Sequence, residues 1–460
     1  MQTGDARGAA QYLLWLVLAT MLAACATVPD AQERQARQAQ AGLSADTGWS
    51  SYRKGQDIVA HTNTERSQDF LARHQAVEQA ISGAPLVRGN QVRLLADGPA
   101  TYQAMLESID SARHYVHMET YIFEDDEEGQ RFADALIAAH RRGAAVAVMI
   151  DAVGTLGTPD TLFDRMRDAG VQVAVFNPVN PAEARAGWSP NQRNHRKLLV
   201  VDGKVGYLGG INVSSVYSSG SRPSSDGREA QPWRDTHIRI AGPAVAELER
   251  VILAGWESQK GPPLTPRDFF PKVAPQGDLT VRILANQPDR SDGYTVYLTL
   301  MSAFESAQKS IHITMAYFVP DPAFVEALEH AAQRGVDVVL VLPGFSDSSL
   351  VFHAGRSHYE SLLEAGAKIY ERRDALLHAK TAVVDGVWST VGSSNMDWRS
   401  FALNYEINAV ILGPEFGAEM EALFEEDVAA SEQVTLDRWH DRGADDRFME
   451  FFSRLFERWL

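Results

Sequence analysis

One pattern occurs twice in this chain and constrains its fold more than any other feature. The first copy reads Asn194-His195-Arg196-Lys197-Leu198-Leu199-Val200-Val201-Asp202-Gly203 and continues to Gly209-Gly210-Ile211-Asn212. The second reads Leu377-His378-Ala379-Lys380-Thr381-Ala382-Val383-Val384-Asp385-Gly386 and continues to Gly392-Ser393-Ser394-Asn395. Each holds His-x-Lys, an apolar run, Asp-Gly, and an Asn at the same distance from the His. Along an extended strand, alternation puts the His and Lys on one face. Asp-Gly is a turn signal. The apolar runs Val205 to Leu208 and Val387 to Val391 then bring the chain back, presenting Asn212 and Asn395 near the His and Lys of their own copies.

Two such repeats facing one another gather two imidazoles, two ammoniums and two carboxamides. That set suits a phosphodiester. Lys197, Lys380, Asn212 and Asn395 would hold the non-bridging oxygens and stabilise transition-state charge. One neutral His attacks phosphorus, while the other, protonated, donates to the leaving oxygen. No cluster with metal-ligand spacing accompanies the repeats, so metal-independent chemistry without a cofactor is expected.

The two segments resemble the HxKxxxxD motif of the phospholipase D superfamily, complete in each half. The words Trp233-Arg234-Asp235-Thr236-His237, Asn404-Tyr405-Glu406 and Gly392-Ser393-Ser394-Asn395-Met396-Asp397-Trp398-Arg399-Ser400-Phe401 more specifically resemble bacterial cardiolipin synthases. This resemblance runs from about Val92 to the C-terminus. It implies a phosphatidyl transferase that makes cardiolipin from phosphatidylglycerol through a phosphatidyl-histidine on His195, with His378 as acid and then base. Hydrolysis through the same intermediate, by a phospholipase D or another phosphodiesterase, is the alternative. The resemblance also implies that an acid orients each imidazole, and the expected pairing crosses the halves, Glu406 with His195 and Asp235 with His378. Asp202 and Asp385 read as turn or salt-bridge residues. Arg399 stays open between a phosphate contact and a structural ion pair.

The repeat is larger than its motif. Val92-Arg93-Leu94-Leu95 and Val281-Arg282-Ile283-Leu284 open the halves, followed by helical patterns at Tyr102 to Ala112 and Tyr294 to Ala307. The strands His114 to Phe123 and Ser310 to Val319 come next, then a further amphipathic helix and the buried runs Ala144 to Ile150 and Val336 to Leu342. Strands alternating with helices imply βαβ units around a largely parallel sheet. The expected fold class is α/β, two pseudo-symmetric phospholipase D-like α/β/α sandwich domains with the active site at their interface. Aligning the copies by eye sets Glu119 opposite Met315. The polar stretch Tyr217 to Gly227 reads as a loop insertion of the first half, either gating substrate or adding surface length. His114, His117, His312, His353 and His358 read as structural.

The remaining chain suggests an envelope location. The run Tyr12 to Leu22 is short for a mature membrane span and fits a signal segment, followed by Leu22-Ala23-Ala24-Cys25. This resembles a bacterial lipobox, with Cys25, the sole cysteine, carrying the lipid. Ala26 at the next position favours the outer membrane, facing the periplasm. Residues 26 to about 65 read as a tether spanning about 35 Å. The expected division is a signal peptide 1–24, a tether and short helix 25–85, and a first domain 86–265. A linker 266–280, a second domain 281–435 and a C-terminal amphipathic helix 436–460 complete it. The aromatic spacing of that last helix, from Phe448 to Trp459, is expected to dock on the protein in preference to a membrane. A net charge of −17 argues against nucleic acid as partner and offers no attraction to anionic lipid. Membrane contact must therefore come from an anchor or an apolar surface.

Overall fold

The structure, a computed structural model, describes residues 83–180, 189–219, 232–288 and 294–457. The signal segment, Cys25, the tether and the helix expected at Ser67 to Ile81 lie outside the described residues. So do residues 220–231, which include the polar stretch from 220 onward.

The first half supplies β1 (Val87–Leu95), β2 (Tyr115–Thr120), β3 (Ala145–Asp151), β4 (Gln172–Phe176), β5 (Leu198–Val201), β6 (Val205–Gly209) and β7 (His237–Ala241). The second supplies β8 (Leu279–Asn286), β9 (Ser310–Met315), β10 (Phe318–Val319), β11 (Asp337–Pro343), β12 (Lys368–Arg372) and β13 (Lys380–Val384). After these come β14 (Trp388–Gly392), β15 (Met396–Asp397), β16 (Glu406–Leu412) and β17 (Ser431–Val434). From the centre outward the first half runs β1-β7-β6-β5-β2-β3-β4, and the second repeats it as β8-β16-β14-β13-β9-β11-β12, with β17 at the edge. β1 and β8 pair antiparallel and join the halves.

The sheet is mixed, which corrects the expectation of a largely parallel one. Only β2-β3-β4 and β9-β11-β12 run parallel, across helical crossovers. The motif strands pair with their neighbours antiparallel. The cause is local: an Asp-Gly connection is too short for a crossover and can join only antiparallel neighbours. Asp202 and Gly203 have φ of 53° and 64°, and Asp385 and Gly386 have 54° and 69°. Two successive left-handed residues match the twist of a tight hairpin.

Strand alternation sends side chains to both faces of the first-half sheet. Leu199 packs with Val148 and Leu136 of the helix Glu127–Arg141 on one side. Leu198 and Val200 pack with Leu248 and Ile252 of the helix Val245–Ser258 on the other. That second core also contains Ile407, Ile411 and Met420 of the second half, so one apolar cluster fastens the two α/β/α sandwiches together.

Strand register also corrects the alignment by eye. Val200 faces His117 and Val383 faces His312, making those two histidines equivalent. Glu119 therefore corresponds to Thr314, one residue before Met315. The carboxylate remains confined to the first half.

Candidate active site

Each motif histidine stands just before its strand, since β5 begins at Leu198 and β13 at Lys380. A short parallel bridge to the opposite half fixes each one. Asn194 bridges Tyr405, with the His195 amide donating to the Tyr405 carbonyl at 3.0 Å and the Tyr405 amide to Arg193 at 2.9 Å. Leu377 bridges Arg234, with the His378 amide donating to the Arg234 carbonyl at 2.7 Å. The residue after each bridge partner is an acid. The register of the bridges therefore lays Glu406 against His195 and Asp235 against His378.

The side chains make those contacts. His195 Nδ1 lies 3.0 Å from Glu406 Oε1, and His378 Nδ1 lies 2.6 Å from Asp235 Oδ2. Both acids are fully buried. Burial works to raise their affinity for protons, but the partner histidines and the lysines outweigh it and hold both below the ordinary carboxylate range. An ionised carboxylate only accepts, so each Nδ1 carries the hydrogen and each Nε2 presents its lone pair away from the acid. Burial pushes the His195 imidazole down to about 4, with Glu406 opposing. The His378 imidazole is lowered as well, by burial and then by Lys380.

Lys197 and Lys380 are buried and each donates to the carbonyl of its own motif histidine, Lys197 at 2.6 Å. Burial pulls them down to about 7 and about 8. The two motifs meet across the halves, each imidazole taking its carboxylate from the opposite half, and the charge of Lys380 depresses His195 as that of Lys197 depresses His378. The asparagines differ. Asn212 is committed at both ends, accepting from the Ile122 amide at 3.1 Å and donating to Tyr217 Oη at 2.9 Å. Asn395 has its buried Oδ1 without a partner among the described residues. No group of three or more His, Cys, Asp or Glu among the described residues is arranged to hold a metal ion.

Asp202 and Asp385 are remote from this chemistry. Asp202 accepts from the amides of Arg113, His114 and Tyr115, and Asp385 from those of Gln308, Lys309 and Ser310. Each fixes the entry to the strand beside its own hairpin. Arg399 donates to the side chain and carbonyl of Asn191 across the halves, both at 3.0 Å. His117 and His312 pair with Glu249 and Glu421.

Several site residues escape the sequence reading. Tyr217, placed there at the start of a loop insertion, is 1% exposed, with its Oη also 3.3 Å from His378 Nδ1. Its ring and that of Trp233 pack on the His378 imidazole, whereas Tyr121 packs on His195. Ser393 Oγ donates to Glu406, and Asp151 accepts from the Asn194 amide at 2.8 Å. The strand-end position of Asp151 beside a Gly-rich turn was the one available signal for it. Tyr217 had none, because its contact crosses between halves.

The family model described as cardiolipin synthase, PLD-like domain, matches residues 105–219 and 300–428, once in each half. Cardiolipin synthase 1 of Bacillus anthracis is 34% identical over 390 residues, covering 82% of this chain and 74% of that protein. The chain belongs to the cardiolipin synthase family of phospholipase D-like proteins. A second member of this cardiolipin synthase family, from Geobacillus sp. strain WCH70, is 35% identical over 378 residues, covering 82% of this chain and 73% of its own. The fold alone is shared with the phosphatidylserine synthase of Haemophilus influenzae Rd KW20, with a TM-score of 0.64 at 13% identity. That likeness covers 84% of this chain and 98% of the other. Each family match spans one His-x-Lys and its Asn; Asp235 falls beyond the first match and Glu406 within the second.

Proposed function

We propose that this chain is a phosphatidyltransferase that joins two molecules of phosphatidylglycerol into cardiolipin and releases glycerol. The observation that carries it is the pair of imidazoles, each held at Nδ1 by a carboxylate of the opposite half, with a buried lysine two residues after each. The relatives' names supply the lipid class.

His195 Nε2 attacks phosphorus, and the bond from phosphorus to the glycerol head group breaks. The departing oxygen takes its proton from His378 Nε2. His378, now neutral, removes the proton of a hydroxyl on the second phosphatidylglycerol. That oxygen attacks phosphorus, and the bond to His195 breaks. Lys197 and Lys380 hold the phosphate oxygens and stabilise the charge that builds on them. A bound phosphodiester also offsets the lysine charges that depress His378, which favours its protonated form.

Labelled phosphatidylglycerol given to the purified full chain tests this reading. Cardiolipin plus glycerol is the expected outcome; phosphatidic acid alone would mean hydrolysis. His195→Ala and His378→Ala should each lower turnover roughly a thousandfold or more with unchanged thermal unfolding. Activity surviving in either variant refutes the two-histidine scheme. The sequence around Cys25 supports placing the enzyme at the outer membrane as a lipoprotein facing the periplasm. Radiolabelled palmitate incorporation that disappears in Cys25→Ser tests that placement.

A further inference from the structure

The C-terminal helix Ala444–Arg454 is turned the unexpected way. Its apolar stripe, Phe448, Phe451, Phe452 and Leu455, recurs at the spacing of one helical face, yet those residues are 65%, 66%, 42% and 64% exposed. The face set against the protein is polar. Glu450 and Ser453 are buried there, and Glu450 pairs with Arg442 at 3.0 Å and Arg356 at 3.6 Å. The helix is therefore fastened by ion pairs, leaving its aromatic side outward, with the exposed Arg447 and Arg454 along one edge and the exposed Asp445 and Asp446 in its first turn.

The helix that carries the stripe is linked to the site through one intervening helix. The helix packs on Ser349–Arg356, which in turn packs on β10, the strand paired with β15 just after Asn395. The loop before Ser349–Arg356 carries exposed Phe345, and its Asp347 acts on the charge of Lys380. At the corresponding turn of the first half Leu156 is 68% exposed, in a turn anchored by Asp151, whose carboxylate holds the Asn194 amide.

We propose that the Phe448–Leu455 stripe, with Phe345 and Leu156 at the cleft mouth, is a docking surface for an anionic phospholipid bilayer. Three arguments select a bilayer. Arg447 and Arg454, together on one edge of the stripe, offer anionic head groups a cationic contact, and their long stems let the charge stay at the head-group level while the aromatic rings enter. The overall charge of −17 repels an anionic surface, so contact must be local and apolar. The helix carrying the stripe is also linked to the site through Ser349–Arg356, and a lipid held with its acyl chains in a bilayer can deliver its phosphate only to a mouth lying on that surface. This last argument rests on the phospholipid reading above.

The test uses the full chain with Cys25→Ser, which removes its only thiol. Phe452→Cys or, as a control, the exposed Glu107→Cys is then labelled with an environment-sensitive fluorophore. On vesicles of phosphatidylglycerol and phosphatidylcholine in equal parts, the label at 452 should shift to the blue and be quenched by lipid-borne nitroxide. The label at 107 should stay aqueous. Both labels remaining aqueous overturns the proposal. So does burial of the 452 label without vesicles at a doubled mass, which makes a second copy the occupant. In the otherwise native chain, Phe448→Ser with Phe452→Ser should lower turnover on vesicles about tenfold but turnover on monomeric short-chain phosphatidylglycerol by no more than about twofold. Equal losses on both substrates overturn it. Absence of cardiolipin from the native chain on either substrate would sink the functional reading, and the label depths would still decide the surface.

Discussion

Each imidazole works through its neighbours, and those neighbours set its pH response. His195, held down to about 4 by burial, becomes a free nucleophile once pH passes that value. The acid form of His378, its hold on the proton weakened by burial and Lys380, declines first as pH rises, and Lys197 and Lys380 then lose their protons near 7 and 8. The turnover profile should therefore be bell-shaped; a flat response across this range would contradict the division of labour. Tyr217 joins Asn212 of one half to His378 of the other. Tyr217→Phe leaves a buried amide hydrogen unmet, a cost of about 1–3 kcal/mol. It should lower kcat several-fold with little change in KM and displace the alkaline limb, whereas a purely structural tyrosine would leave that limb in place. Glu119, buried against Asn194, is pushed up from 4.5 to about 7 by burial, with Arg196 opposing. A carboxyl raised on folding contributes stability that is complete below about 4.5 and lost as pH climbs through about 7. Glu119→Gln should thus shrink the difference in Tm between about pH 5 and about pH 8.

At the scale of elements, the hairpin carrying each motif is fastened by its own aspartate. Asp202 satisfies three amides at the entry to β2, so Asp202→Ala should cost about 2–4 kcal/mol by denaturant unfolding while leaving kcat of the folded enzyme nearly intact. The doubled His-x-Lys and its Asp-Gly turns were readable because chemistry and hairpin geometry both lie in one short stretch of chain. The sheet was less so. Helix-separated strands at β2, β3 and β4 suggested parallel pairing throughout, yet the hairpins between them and β1 impose antiparallel neighbours. Matching Glu119 to Met315 failed by one position because similar strings leave a one-residue slip undecided, whereas hydrogen-bond register does not. The face that the last helix turns inward was not legible either. Periodicity finds the apolar stripe, but Arg356 and Arg442, remote in sequence, seize the opposite side through Glu450.

For the molecule as a whole, the apolar cluster shared by the halves predicts a single cooperative transition. Ile407, fully buried in it, should cost about 2–5 kcal/mol on replacement by Ala. Calorimetry of Ile407→Ala should still give one endotherm, shifted downward, instead of two separating ones. The same attachment has a consequence for chain continuity. Because the acid beneath each imidazole comes from the far side of the linker 266–280, either piece alone would hold an imidazole stripped of its carboxylate. A protease cut in that connection should accordingly leave a working enzyme for as long as the fragments remain clasped. Dilution into denaturant would silence both fragments together, and only their reunion would restore turnover.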